Sequence, residues 1–304
     1  MTKPLSLYLD ILRIAAALAV FVAHAIHPHF GALPFNPADV FDYGSDAVIL
    51  FFVLSGFVIA YTADARDGSA RVFLFNRATR LVSVVAPAIA LTIAADAIGQ
   101  ALAPGLYDTW RNGAPAAGPG AYLLGLSLTN EWAWAGVHVG SNHPLWSVSY
   151  EAAYYLIFAS MMYLQGAARL VAVIAGLLIA GPNILLLAPA WGLGVFAYRV
   201  VRTAPARERP VWLWALIALA AAALYFQLNA DDVDLFALRV TAHVLDDHPL
   251  RVFRYSGEFA WSWFIAGLAA LHIVAVARIC LRIGAPSAGR RARRSRFTPR
   301  TTRC

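Results

Sequence analysis

The chain has 304 residues, 60% of them hydrophobic and 13% charged, with a formal net charge of +7. A soluble domain carries roughly 25% charged residues, so this deficit, with apolar runs near ~20 residues long, excludes an ordinary soluble domain and places the chain in a bilayer. The basic residues fall between apolar runs and toward the C-terminus, which is a topology signal and excludes a nucleic-acid footprint.

The expected fold is all-α, a polytopic transmembrane helical bundle of about eight spans. The first span runs from about Leu5 to Ile26, the second from Ser45 to Thr62 and the third from Leu81 to Leu102. A loop rich in Pro and Gly follows, from Pro104 to Pro119, and then an apolar stretch, Ala121 to Leu128, too short to cross. The fourth span extends from Pro144 to Leu164. Apolar sequence continues from Leu170 to Tyr198, broken at Gly181-Pro182-Asn183 and at Pro189, and is read as two short crossings. The seventh span covers Val211 to Leu228, where Ala218 to Ala223 reads as close helix packing, and the last covers Phe259 to Leu281. Residues 1–281 then form one transmembrane domain, and residues 282–304 a basic, disordered cytoplasmic tail. In that tail Arg290, Arg291, Arg293, Arg294 and Arg296 suit contact with anionic headgroups.

Arginine placement sets the orientation. Arg66, Arg71, Arg77 and Arg80 follow the second span, and Arg199, Arg202, Arg207 and Arg209 follow Tyr198. The segment from Asp231 to Asp247 is acidic. The positive-inside bias puts both termini in the cytoplasm of a multi-pass cell (inner) membrane protein. The first apolar run carries Arg13 and His24 and has no small-x-small cleavage site, so it reads as a span and not a cleavable signal. Two cysteines, Cys280 and Cys304, fit neither a disulfide framework nor a metal site. No internal repeat, nucleotide-binding glycine loop or metal-ligand spacing is present in the sequence.

The first span holds an unusual set of charges. Arg13 and His24 are eleven residues apart, which is about three helical turns, nearly the same face and roughly 16 Å along the axis. Asp10, three residues before Arg13, can pair with it. Ionisable groups inside a span are costly and usually face a protein interior or a wet cavity. The bland alternative is an Arg13 that snorkels to the headgroups and a His24 in the interface.

These residues do not stand alone. Asp10-x-x-Arg13 with His24 resembles the first-helix signature of acyltransferase family 3. Phe51-Phe52-Val53-Leu54-Ser55-Gly56-Phe57-Val58-Ile59 resembles that family's second helix, and Arg77-x-x-Arg80-Leu81 its arginine pair before the third. Pro144-Leu145-Trp146-Ser147-Val148-Ser149-Tyr150-Glu151, followed by Tyr154-Tyr155, resembles its Trp-Ser-x-Ser-x-Glu segment. The four motifs stand in the family's order and span roughly residues 5 to 280. The resemblance implies transfer of an acyl group, often acetyl, from cytoplasmic acyl-coenzyme A to a glycan or other envelope acceptor. It also implies an essential His and an Arg that helps hold the donor.

On this topology Arg13, Arg77 and Arg80 lie toward the cytoplasm, where guanidiniums can hold the phosphates of coenzyme A. Ordinary positive-inside anchoring explains Arg77 and Arg80 as well. His24, Asp46 and Glu151 are expected to converge on the outer leaflet, with a carboxylate orienting the His as general base. His24 as a covalent acyl carrier is equally open. Glu151 is assigned a catalytic role beside His24, as its carboxylate partner or a second base, the plainer reading being an ion-pair member that stabilises the fourth span. Asp46 serves as support, a plain helix N-cap being its simpler reading. Trp146 and Ser147 are supporting by their place in the motif. Trp146, Tyr150, Tyr154 and Tyr155 suit either an acceptor groove or an interfacial belt. Ser55-Gly56 suits close packing, and His27, His29 and His143 receive no role.

No bound cofactor or metal is expected; acyl-coenzyme A enters as a substrate. The other partners are the envelope acceptor and the bilayer, with no nucleic acid. The competing readings are a transporter or flippase of a small polar or lipid-linked molecule, and an inactive remnant, since the basic string after Arg282 departs from the family's pattern of further helices.

Overall fold

A computed structural model describes residues 1–26, 38–108, 118–203, 210–231, 233–245 and 253–283. The helices are α1 (Lys3–Ala25), α2 (Ala38–Ala65), α3 (Ala70–Leu102), α4 (Pro104–Asp108), α5 (Pro119–Leu126), α6 (Leu145–Tyr163), α7 (Gly166–Ala180), α8 (Pro182–Thr203), α9 (Val211–Ala230), α10 (Val233–Leu245) and α11 (Phe259–Ile283). Short 3-10 turns cover Trp132–Trp134 and Arg254–Ser256, and there is no strand among the described residues.

Local sequence accounts for most helix starts. Pro4, Pro119 and Pro182 stand in first turns, where the missing N–H costs nothing. The Ser69 hydroxyl accepts from the Val72 N–H and caps α3. Gly181 separates α7 from α8 with a left-handed φ of 79° that L side chains rarely adopt.

Eight helices, α1, α2, α3, α6, α7, α8, α9 and α11, occupy the eight expected places. Six of these are long and apolar enough to cross a membrane: α1, α2, α3, α8, α9 and α11. The polar Ser, Tyr and Glu content of α6 keeps it off that list. With 15 residues, α7 spans only about 22 Å of a core about 30 Å thick.

Four boundaries differ from expectation. Helix α2 begins at Ala38, well before Ser45, and α3 begins at Ala70, so Arg71, Arg77 and Arg80 lie on a helix and not in a loop. Pro189 does not break α8, because a helix packed on its neighbours tolerates one lost backbone bond. The acidic segment after Asp231 contains α10. The tail expected from residue 282 lies outside the described residues beyond Ile283.

Two ends of the bundle are fixed by tertiary contacts. At one end Arg202 pairs with Asp64 at 2.6 Å, Tyr163 donates to the Asp67 carbonyl at 2.7 Å, and Arg278 donates to the Val200 carbonyl at 2.8 Å. This basic end also carries Lys3, Arg66 and Arg169. At the other end, the end at which α1 finishes, Ser256 donates to the Asn183 carbonyl at 2.6 Å, and the Ser141 N–H donates to Asp96 at 2.9 Å.

Helix α2 is the hub, packed by α1, α8 and α11. Its approach to α8 is backbone on backbone. A Cβ on Gly56 would lie 2.0 Å from the Trp191 carbonyl oxygen, and one on Gly194 would lie 2.0 Å from that of Val53. The packing expected at Ser55-Gly56 is therefore present, supplied by the glycine. Ala218 and Ala221 of α9 are buried, as the Ala-rich run implied.

Candidate functional site

His24 lies in the last turn of α1, exposed, with its Nδ1 2.7 Å from the Val20 carbonyl oxygen. A carbonyl only accepts, so in the neutral ring Nδ1 carries the proton and Nε2 presents a lone pair. A backbone carbonyl thus orients the imidazole where a carboxylate was expected. Arg13 stands mid-helix and donates to Asp10 at 2.8 Å, the expected i,i+3 pair.

The structure does not bring His24, Asp46 and Glu151 together. Among the described residues no hydrogen bond or ion pair joins His24 to either carboxylate. Asp46 is not an N-cap, because α2 starts eight residues earlier. It is buried and, among the described residues, accepts from Tyr225 at 2.9 Å, Asn229 at 3.2 Å and the Trp261 indole at 2.9 Å. These tie α2 to α9 and α11, so Asp46 is a tertiary clamp.

Glu151 accepts from the Ser55 and Tyr155 hydroxyls. Trp191 Nε1 donates to the Ser55 oxygen at 3.2 Å. Ser55 is nine residues beyond Asp46 on α2, about 13 Å deeper and on the opposite face. That separation is why the two carboxylates do not converge. Ser55 shares its face with Gly44, eleven residues away, and Gly44 packs directly on Ala23 of α1. With α1 and α2 antiparallel, Arg13 and Ser55 lie at about the same depth. Glu151 therefore lies at about the depth of Arg13, while His24 stands at the end.

Arg77 pairs with the buried Asp67 at 3.3 Å and lies over the Phe73 ring, 5.6 Å from its centroid. Arg80 is exposed, and its guanidinium has no hydrogen-bond or ion-pair partner among the described residues. Tyr150, Tyr154 and Tyr155 are buried in the core, neither lining a groove nor forming a belt. Trp146 is half-buried and stacks on Tyr255 with centroids 4.7 Å apart. Ser147 donates to the local Pro144 carbonyl, at 3.0 Å.

Sequence reasoning missed a second cluster at the His24 end. Glu131 is buried, 3.8 Å from the Arg254 guanidinium. Arg254 donates to His138 Nε2 at 3.2 Å and lies over the Tyr255 ring. The His138 and His143 rings are 4.5 Å apart. No periodicity signals this set, because its members sit on irregular loops far apart in the chain. Among the described residues no group of His, Cys, Asp or Glu could hold a metal ion.

A family model described as an acyltransferase domain matches residues 6–289. No curated protein matches the chain, and no solved structure does.

Proposed function

This chain belongs to acyltransferase family 3 and is a multi-pass membrane acyltransferase, and we propose that it moves an acyl group, acetyl by preference, from acyl-coenzyme A to a hydroxyl of an extracytoplasmic glycan or related envelope acceptor. In this reading the membrane is the cell (inner) membrane, the basic end faces the cytoplasm, and the His24 end receives the acceptor.

The observation that supports it is the first helix. His24 Nδ1 is tied to the Val20 carbonyl, which leaves Nε2 without a hydrogen bond among the described residues, and Arg13 lies about three turns below on nearly the same face. Arg13 and the unpaired guanidinium of Arg80 suit the donor's phosphates. Arg77, held by Asp67, adds fixed positive charge beside them. His24 Nε2 takes the proton of the acceptor hydroxyl as its oxygen attacks the thioester carbonyl carbon. The carbon–sulfur bond breaks, and the coenzyme A thiolate leaves and is protonated from His24. The products are an ester and free coenzyme A. Glu151, held by Ser55 and Tyr155 at about the depth of Arg13, puts a carboxyl and two hydroxyls between the two ends.

Mass spectrometry of envelope glycans from wild-type and deletion strains tests the reaction. One glycan is expected to lose ester-linked acyl groups in the deletion strain. Unchanged glycans, with acetyl-coenzyme A left intact by purified protein that moves a solute across vesicles, would identify a transporter.

Sidedness is tested with single cysteines in a background lacking Cys280 and Cys304. Gly68 lies in an open loop at the basic end and Asp231 is exposed at the other. An impermeant maleimide is expected to label Asp231→Cys in intact cells, and Gly68→Cys only after permeabilisation. The reverse pattern would remove the cytoplasmic donor from the mechanism.

A further inference from the structure

We infer that Arg254, braced over Gly136 beside Glu131 and His138, is a binding site for an anionic group of the acceptor, a carboxylate or a phosphate. The acyltransferase reading supplies only the word acceptor; the binding stands on the geometry of this cluster and is tested without catalysis.

The loop from Ser127 to Pro144 is built around that guanidinium. Among the described residues, the non-glycine positions with left-handed φ are Leu128, Ala133, Trp134 and Arg254. The first three lie in this loop and the fourth faces it. Each such residue costs of order 1 kcal/mol, and strain of this kind persists only where surrounding contacts over-determine it. Those contacts are present. Ser149 donates to the Leu128 carbonyl at 2.9 Å, Trp132 Nε1 donates to the Ser149 carbonyl at 3.1 Å, and Asn142 donates to Thr92 at 3.0 Å. Gly136 has φ 51°, and a Cβ there would lie 1.6 Å from Arg254 Nη1. Only glycine leaves room for the guanidinium at this point.

Arg254 is held without being neutralised by a close ion pair. Glu131 is 4% exposed, its carboxylate accepts no hydrogen bond among the described residues, and Arg254 at 3.8 Å is beyond hydrogen-bond reach. The Arg254 donation to His138 Nε2 at 3.2 Å leaves that ring's proton on Nδ1. The remaining guanidinium donors, on a partly exposed side chain, suit charge-assisted bonds to an oxyanion. Trp146 stacks under Tyr255, and Tyr150 meets Ser256 at 3.2 Å, so the platform is rigid.

Charge at the site depends on pH. Burial pushes the Glu131 carboxyl up to about 7 against the opposing pull of Arg254. Below that value the carboxyl is neutral and the guanidinium uncompensated; above it, the carboxylate competes with any incoming anion. Burial and Arg254 push His138 down, so its ring stays neutral as pH rises. Burial pushes Tyr255 up to about 12, which leaves it neutral. His143, its Nδ1 3.4 Å from the Tyr255 hydroxyl, and Tyr150, which interacts with both Glu131 and Arg254, are the other titratable groups facing the site among the described residues.

The test is saturation-transfer NMR on the purified full chain in nanodiscs, with glucuronate, glucose 6-phosphate and glucose as probes. At pH 6 at least one anionic probe is expected to bind ~10-fold or more tightly than glucose, as a charge-assisted contact requires, and its affinity is expected to fall by pH 8. The two anionic arms distinguish carboxylate from phosphate. Arg254→Gln should abolish the preference, and Glu131→Gln should keep the affinity high at pH 8. Equal binding of glucose, or no binding of either anion by the wild-type chain, overturns the proposal without any variant having to fold. A pH dependence that survives Glu131→Gln and disappears in His143→Gln overturns the part given to Glu131. Loss of anion binding alongside intact acyl transfer would overturn this site alone, and binding without transfer would overturn the reaction alone.

Discussion

His24→Ala is expected to lower the maximal acyl-transfer rate by on the order of a hundredfold or more, the usual worth of a positioned acid–base group. The variant should fold. His24 is exposed at the end of α1, its one side-chain hydrogen bond among the described residues is to the local Val20 carbonyl, and alanine is the best helix former. Donor binding should survive, because the candidate phosphate contacts lie toward the basic end. Arg13→Lys should do the opposite. Lysine keeps a charge that can reach Asp10, but it loses the planar fork that suits phosphate. The KM for acyl-coenzyme A should rise while slow transfer persists. Calorimetric titration with a non-hydrolysable acyl-coenzyme A analogue separates the two. Lost donor binding in His24→Ala, with normal binding in Arg13→Lys, would show that the two ends of α1 have been given each other's roles.

Gly56→Ala is expected to destabilise the whole bundle. Ordinary van der Waals contact for a Cβ begins near 3.4 Å, yet the added carbon would lie 2.0 Å from the Trp191 carbonyl oxygen and 3.1 Å from the Val195 nitrogen. These are backbone atoms with no rotamer to change, so α2 and α8 must separate. Overpacking of this kind costs typically about 1–3 kcal/mol, and more where backbone must shift. The separation would also stretch the 3.2 Å bond from Trp191 to Ser55 and release the hydroxyl that holds Glu151, so activity should fall with stability. Gly192→Ala is the control, since a Cβ there meets nothing within 4 Å although it sits on the same helix. Thermal unfolding in detergent should show a clear loss for Gly56→Ala and little change for Gly192→Ala. Equal Tm values would mean that the two helices do not meet at these glycines.

The sequence by itself determined the all-helical bundle, the places of eight of its helices and the pairing of Arg13 with Asp10. Each is a local property. Apolar run length reports whether a segment can cross a bilayer, and the 3.6-residue period places i,i+3 neighbours and residues eleven apart on one face. The motif order identified the family for the same reason, being written in short contiguous stretches that the acyltransferase domain match then covered.

Tertiary structure decided the partners. Asp46 looked like a helix cap because its donors among the described residues come from α9 and α11, far along the chain. Glu151 looked like a neighbour of His24 because both stand near helix ends in the sequence. The Ser55 contact instead carries it about 13 Å below Asp46 on the other face of α2. The burial of Tyr150, Tyr154 and Tyr155 depends on how α6 meets α2 and α8, and composition cannot tell a core tyrosine from an interfacial one. Glu131 and Arg254 were invisible because an irregular loop has no period, and their meeting requires the loop before α6 to fold against the turn before α11. Hydrophobic length is set residue by residue along the chain. A buried carboxylate's partner is set by which helices pack side by side, so the spans could be read from the sequence and the site only in part.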